Sequence, residues 1–299
     1  MWVALAFVSA FFLGCYDIAK KKSVDGNAVI PVLFLNTAFC SLLLLPLVLI
    51  SRLDSSLLED TILFVPRISL QFHGLILIKS FIVMSAWITG YFAVKHLPLT
   101  ITGPISATRP VITLVGALLI FGEKLNGWQW VGVLLTIFSF FLLSRSGRKE
   151  GIVFSKNKWI FFLLLSALFS STSALYDKFL MRQISPTAVQ FWFTTYQAGL
   201  MIIILFALWY PGRHKSTPFR WTNSILLVSL FLTCADFVYF YALTYSDAMI
   251  SIVSMVRRSS VIVTFIAGAA LFGERNLKEK AIDLVLIFAA MFFLYMGTS

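Results

Sequence analysis

The sequence predicts an all-α integral membrane protein, with ten transmembrane helices arranged as two inverted five-helix repeats. Three observations lead there. The 299 residues are 59% hydrophobic and only 12% charged, with a mean hydropathy of +0.90, whereas a soluble domain carries about 25% charged residues. Ten apolar segments are long enough to cross a bilayer, which takes roughly twenty residues each. Two short sequence marks occur twice, once in each half of the chain.

The segments are 2–20, 28–51, 71–95, 98–121, 127–145, 158–181, 186–209, 222–245, 248–272 and 279–297. The first has no basic stretch before its apolar run, which argues for a spanning helix and against a cleaved signal peptide. It carries Tyr16-Asp17 late in its length, and the sixth carries Tyr176-Asp177 in the same place. The third bears Lys79. The fourth bears Thr102, Ser106 and Arg109 on one helical face and ends in Phe121-Gly122-Glu123-Lys124. The seventh holds Tyr196-Gln197, and the eighth holds Asp236 within an aromatic run. The ninth holds Arg257-Arg258 and ends in Phe272-Gly273-Glu274-Arg275. Starting the ninth span after Arg258 would leave too few apolar residues before Gly273 to cross. The span therefore includes both arginines and sets Arg257 roughly 14 Å along it, near the midplane.

Asp17 and Glu123 are 106 residues apart, and Asp177 and Glu274 are 97 apart. That is one duplicated unit with small insertions. We expect a first repeat over 1–145, a connecting loop over 146–157 and a second repeat over 158–299. Five spans per unit is an odd number, so the second copy must enter the membrane from the opposite face, as in many secondary transporters.

With the Gly-Glu-basic turn after the fourth span of each half, the whole chain resembles the drug/metabolite transporter superfamily, its EamA-type carriers above all. The resemblance implies ten helices around a central cavity and alternating access without ATP. This sequence departs from the pattern in two places. Gly14-Cys15-Tyr16-Asp17 stands where many members have Trp-Gly, and Pro110 aligns with Val261. Arg257-Arg258 also resembles the Lys-Arg pair by which plastid triose-phosphate translocators, distant members of the superfamily, are understood to hold phosphate.

The net charge of +11 accompanies no basic-aromatic surface module, so it is not the mark of a nucleic-acid partner. It reads instead as topology. Fifteen Lys and Arg flank the odd-numbered loops, five flank the even-numbered side with the termini, and four lie within spans. The positive-inside rule then puts both termini outside the cytoplasm, where the resemblance implies cytoplasmic termini. A bacterial inner (plasma) membrane is the expected location, with the chain a monomer or homodimer.

Cys15, Cys40 and Cys234 show no ligand spacing. There is no G-x-x-x-x-G-K-[ST], H-E-x-x-H or G-x-S-x-G motif, so no enzyme, metal or cofactor is expected.

A charge at the centre of a bilayer costs about 2.5–3.5 kcal/mol even on the mild insertion scale, and such residues usually mark a pathway. We therefore expect Arg257, Arg258 and Arg109 to form an anion clamp, because guanidinium offers a planar fork to phosphate or carboxylate oxygens. Structural pairing or snorkelling is the alternative. Lys79, Asp236, Tyr239, Ser106, Trp87, Tyr91, Tyr196 and Gln197 complete the candidate substrate site. Tyr16, Asp17, Tyr176, Asp177 and Asp236 are candidates for gating or coupling. Asp17 has Lys20 one turn away, Asp177 has Lys178 or Arg182, and Asp236 would either meet an arginine or carry a coupling proton.

The expected function is secondary transport of a small polar metabolite bearing an anionic group, driven by protons or a counter-substrate. Export of amino acids or amphiphilic drugs is the second choice. A non-transporting membrane scaffold or lipid-binding subunit is the alternative class.

Overall fold

The computed structural model describes residues 2–59, 61–109, 112, 126–149, 152–181, 183–214, 216–242, 245, 253, 256–274 and 277–297. Every long regular element among them is a helix. We label these α1 (Trp2–Val24), α2 (Val29–Leu53), α3 (Leu70–His96), α4 (Leu99–Ala107), α5 (Gly127–Lys149), α6 (Lys158–Leu180), α7 (Pro186–Ile204), α8 (Ser224–Ala242), α9 (Ser260–Leu271) and α10 (Leu277–Met296). A π-helical turn, Leu205–Trp209, continues α7. Pro110, Arg182, Arg275 and the first Phe-Gly-Glu-Lys copy lie outside the described residues.

Six described helices are long and apolar enough to cross a membrane: α1, α2, α3, Lys158–Asp177 of α6, Pro186–Trp209 and α8. Phe7 and Phe11 of α1, Leu42 and Leu49 of α2, and Ile137 and Phe141 of α5 are exposed. Surface this apolar needs lipid around it. The chain is an integral membrane protein.

Local chemistry sets several helix ends. Pro186 begins α7, where its missing N–H is no loss. The Asn157 side chain accepts the Trp159 N–H at 2.9 Å and caps α6. Polarity does not end α1 at residue 20, as the apolar run suggests. The helix continues to Val24, and Lys21 Nζ donates to the carbonyls of Val94 and Leu97 at 2.7 Å each. The lysine thereby occupies carbonyl groups at the end of α3 that the helix itself leaves unmatched.

Helix pairing crosses between the halves. α1 lies along α8, and α3 lies along α6; α2 meets α7, α4 meets α9, and α5 packs on α10. The Ser139 hydroxyl donates to the Asp283 carbonyl at 3.1 Å and the Asn126 amide to the Gly297 carbonyl at 2.6 Å, so α5 and α10 run antiparallel. Two glycines let backbones come close. A Cβ at Gly14 would sit 2.5 Å from the Val263 Cβ, and one at Gly90 would sit 2.7 Å from Ser166 Oγ.

The second copy of the repeated motif acts as a joint between the halves. α9 ends at Leu271, and Gly273 takes the left-handed conformation with φ +59°. The Glu274 N–H then bonds back to the Gly268 carbonyl at 3.1 Å, closing the chain over the end of α9. This turn aims the Glu274 carboxylate at the start of α4. There it accepts the backbone N–H of Leu99 at 2.6 Å and of Thr100 at 2.8 Å, together with the Thr100 hydroxyl. The fully buried Lys280 donates to the same hydroxyl at 2.7 Å. A carboxylate at a helix N-terminus meets both orphan donors and the positive end of the dipole.

Candidate functional site

A cavity of about 230 Å³ lies between α1, α3, α4, α6, α8 and α9. It exists because polar side chains recur at helical spacing on the inward faces of otherwise apolar helices. On α6 the stripe is Ser166, Ser170, Ser173 and Asp177, at steps of four, three and four residues. On α4 and its continuation it is Thr102, Ser106 and Arg109.

Three ion pairs among the described residues line the cavity. Asp236 on α8 accepts from Arg257, whose guanidinium carbon also lies 4.2 Å from the centre of the Tyr239 ring. Asp177 on α6 pairs with Lys79 on α3. Neighbours in sequence suggest Lys178 or Arg182, and among the described residues the partner is this lysine of a facing helix. Lys79 does not snorkel outward. It is 3% exposed, with Nζ 4.8 Å from the Phe193 ring centre. Asp17 pairs with Lys20 one turn along α1, and Lys20 Nζ lies 4.5 Å from the Tyr16 ring centre and 5.6 Å from that of Tyr91.

A hydrogen-bonded chain backs this end of the cavity. The Tyr16 hydroxyl donates to the Tyr91 hydroxyl at 3.5 Å, and Asn36 Nδ2 donates to the same oxygen at 3.0 Å. Cys40 Sγ donates to Asn36 Oδ1 at 3.7 Å. Tying these groups together fixes the two ring faces that Lys20 meets.

Arg109 lines the cavity, and its backbone carbonyl accepts from the Ser171 hydroxyl at 3.0 Å. Arg258 lines it too and makes no hydrogen bond or ion pair among the described residues. Altogether the described lining carries Lys20, Lys79, Arg109, Arg257 and Arg258 against Asp17, Asp177 and Asp236. That is five cations facing three carboxylates.

Of the sequence-predicted residues, Arg257, Arg258, Arg109, Lys79, Asp236, Tyr239, Ser106, Trp87, Tyr91, Tyr16, Asp17 and Asp177 meet around this one cavity. Three others lie outside its lining. Tyr196 bonds His73 Nδ1 at 2.6 Å and stacks on Trp192. Gln197 is fully buried, and neither of its amide atoms has a hydrogen-bond partner among the described residues. Tyr176 donates to the Leu75 carbonyl at 3.2 Å.

Sequence reasoning missed the α6 serines, although their spacing leading to Asp177 was the available signal. It also missed Asn36. Among the described residues no group of three His, Cys, Asp or Glu is placed to hold a metal.

A charged cavity inside a lipid-facing helical bundle now stands beside the comparison with known proteins. The EamA-like transporter family matches this chain twice, over residues 1–145 and 157–296. The chain belongs to the EamA-like transporter family. It is a membrane transporter of the drug/metabolite transporter superfamily, a family of transporters and not of enzymes. No curated protein matches it. Its fold is similar to that of a protein of known crystal structure, among other solved chains, with a TM-score of 0.63 over 99% of this chain and 97% of the other. At 13% identity that likeness speaks for the fold alone.

Proposed function

We propose that this EamA-type transporter is a secondary carrier for a small polar metabolite with an anionic group, a phosphate ester or a carboxylate. The observation that carries the proposal is Arg258, which faces the cavity beside Arg257 and Arg109 with no ion-pair partner among the described residues. Cations without counter-charge at membrane depth are costly, and an anionic ligand removes that cost. Arg257, Arg258 and Arg109 would hold the anion. Asp236 would stand in for it on Arg257 when the site is empty.

The carrier would work by alternating access through ten spans in two inverted repeats. The pairing pattern supports this. Exchanging α1–α5 with α6–α10 turns the contact of α1 with α8 into that of α6 with α3, and the contact of α1 with α9 into that of α6 with α4. The contacts of α2 with α7, α4 with α9 and α5 with α10 map onto themselves. We place the odd-numbered loops in the cytoplasm of a bacterial cell and the termini outside its plasma membrane, from the threefold bias of Lys and Arg.

One observation favours a second substrate class. Trp87, Tyr91 and Tyr239 also line the cavity, which suits an amphiphilic solute or an amino acid.

Uptake into proteoliposomes from a panel of anionic, zwitterionic and cationic solutes tests both. The anion proposal expects uptake of organic phosphates or carboxylates, abolished in Arg258→Ala and weakened in Arg258→Lys, where the bidentate fork is lost. Transport of cations alone, or full activity in both Arg257→Ala and Arg258→Ala, refutes it.

A further inference from the structure

We infer that solute reaches the central cavity through a second cavity, and that the Phe240 side chain is the partition between the two. This rests on the proposed alternating-access carrier, which needs a route from its site to one face of the membrane.

The second cavity, about 280 Å³, lies where α8 ends. Its walls are the segment between α2 and α3, including Phe64 and Pro66, the start of α7 at Thr187, and Phe237, Phe240 and Tyr241 of α8. Phe240 lines both cavities. Helical geometry explains why. At about 100° per residue, with Asp236 as the origin, Tyr239 lies roughly 60° to one side and Phe240 about 40° to the other. On that second side, Phe237 and Tyr241 follow at about 100° and 140°. Asp236 and Tyr239 therefore face the charged cavity, and Phe237 and Tyr241 face the second one. Phe240 stands on the boundary. It is 9% exposed.

The two spaces differ in chemistry. The described lining of the second contains one carboxylate, Glu59, several hydroxyls and no Lys or Arg. Such a lining offers an anion hydroxyl donors but no positive charge, so it serves as a passage, and the cations beyond Phe240 supply the binding.

The location fits as well. At the opposite face the halves are clasped. Asn27 Nδ2 donates to the Arg220 carbonyl at 2.7 Å, and the Arg220 N–H donates to Asn27 Oδ1 at 2.8 Å. Lys95 Nζ reaches Thr217 Oγ1 at 3.0 Å, and Glu274 caps α4. With that face tied, the route we infer runs toward the loop between α2 and α3, where the Thr187 hydroxyl donates to the Phe64 carbonyl at 2.7 Å in the wall of the second cavity. A single side chain moving between rotamers then connects it to the site.

Cysteine labelling in the full chain tests this without any substrate. Cys15, Cys40 and Cys234 are replaced by Ala, and single cysteines are placed at Thr187→Cys in the second cavity or Ser170→Cys in the central one. A membrane-impermeant, negatively charged methanethiosulfonate is applied to each face separately. Thr187→Cys should label from the face of the α2–α3 loop whatever occupies position 240. Ser170→Cys should label slowly from that face with Phe240, and about tenfold faster or more with Phe240→Leu or Phe240→Ala. Two results overturn the inference: no labelling of Thr187→Cys from that face, or equal Ser170→Cys rates with Phe, Leu and Ala at 240. Uptake assays with anions run separately, so an anion proposal that fails leaves the route standing, and the reverse.

Discussion

Replacing Glu274 by alanine should loosen the joint between the halves, and the cost follows from the donors it abandons. The carboxylate accepts two backbone N–H groups at the start of α4, at 2.6 and 2.8 Å, and the Thr100 hydroxyl. Leu99 is 2% exposed and Thr100 is fully buried, so water cannot readily replace the lost acceptor. A buried donor left unmatched costs about 1–3 kcal/mol. The hydroxyl can rotate, so the two amides set the scale. Glu274 is itself half-exposed and admits some water, which brings the sum to roughly 2–4 kcal/mol. For a chain of this size that corresponds to a melting temperature lower by about 3–6 °C. Glu274→Gln keeps an acceptor oxygen but loses the charge at the helix N-terminus, and should fall between the parent and the alanine variant. Thermal unfolding in detergent, followed by fluorescence-detected gel filtration, measures both. A Glu274→Ala variant melting within about 1 °C of the parent would refute the joint.

Three further perturbations test the cavity and its frame. Asp236→Asn leaves Arg257 without its carboxylate at depth, a loss of about 3–5 kcal/mol; it should lower the melting temperature, and an anionic substrate should restore it. Unchanged melting and unchanged gradient-driven uptake would remove Asp236 from both pairing and coupling. Lys79→Met should destabilise by a similar amount because it strands Asp177, and adding Asp177→Asn should recover most of the loss; an additive double variant would mean that the pair is not coupled. Gly90→Ala forces a Cβ to 2.7 Å from Ser166 Oγ and should cost about 1–3 kcal/mol. Ser166→Ala in the same chain should return much of it, as melting curves of the single and double variants will show.

What the sequence made legible, and what it hid, divides along helices. Arg257, Arg258 and the Thr102, Ser106, Arg109 face could be placed at depth because span length and helical period are local properties. The partner of Asp177 could not. Its lysine is 98 residues away on a facing helix, and only the packing of α3 on α6 brings the two together. The repeated Phe-Gly-Glu mark was plain as a repeat yet silent about its task. Its task needs a left-handed glycine, which a sequence suggests, and a helix N-terminus within reach, which it does not. Tyr196 and Gln197 show the converse. A polar residue in an apolar span draws attention, but the direction of its side chain decides whether it meets the cavity, and these two lie outside it.

The imbalance of charge bears on how transport is driven. Among the described residues Lys20, Lys79 and Arg257 are each paired with a carboxylate, while Arg258 faces the cavity with no ion-pair partner, so the empty cavity carries these charges at membrane depth. Reorienting it across the membrane in that state moves those charges through a closed, low-dielectric intermediate, at a penalty of about several kcal/mol per unpaired ion. A bound anion offsets the Arg258 charge, so the loaded carrier reorients more readily than the empty one. The expectation is exchange: an anion carried one way should return with another anion. Liposomes preloaded with the transported anion should then take up label about tenfold faster or more than liposomes loaded with buffer alone. Equal rates would mean that the empty carrier crosses as easily, and that the Arg258 charge is neutralised by other ions and not by substrate.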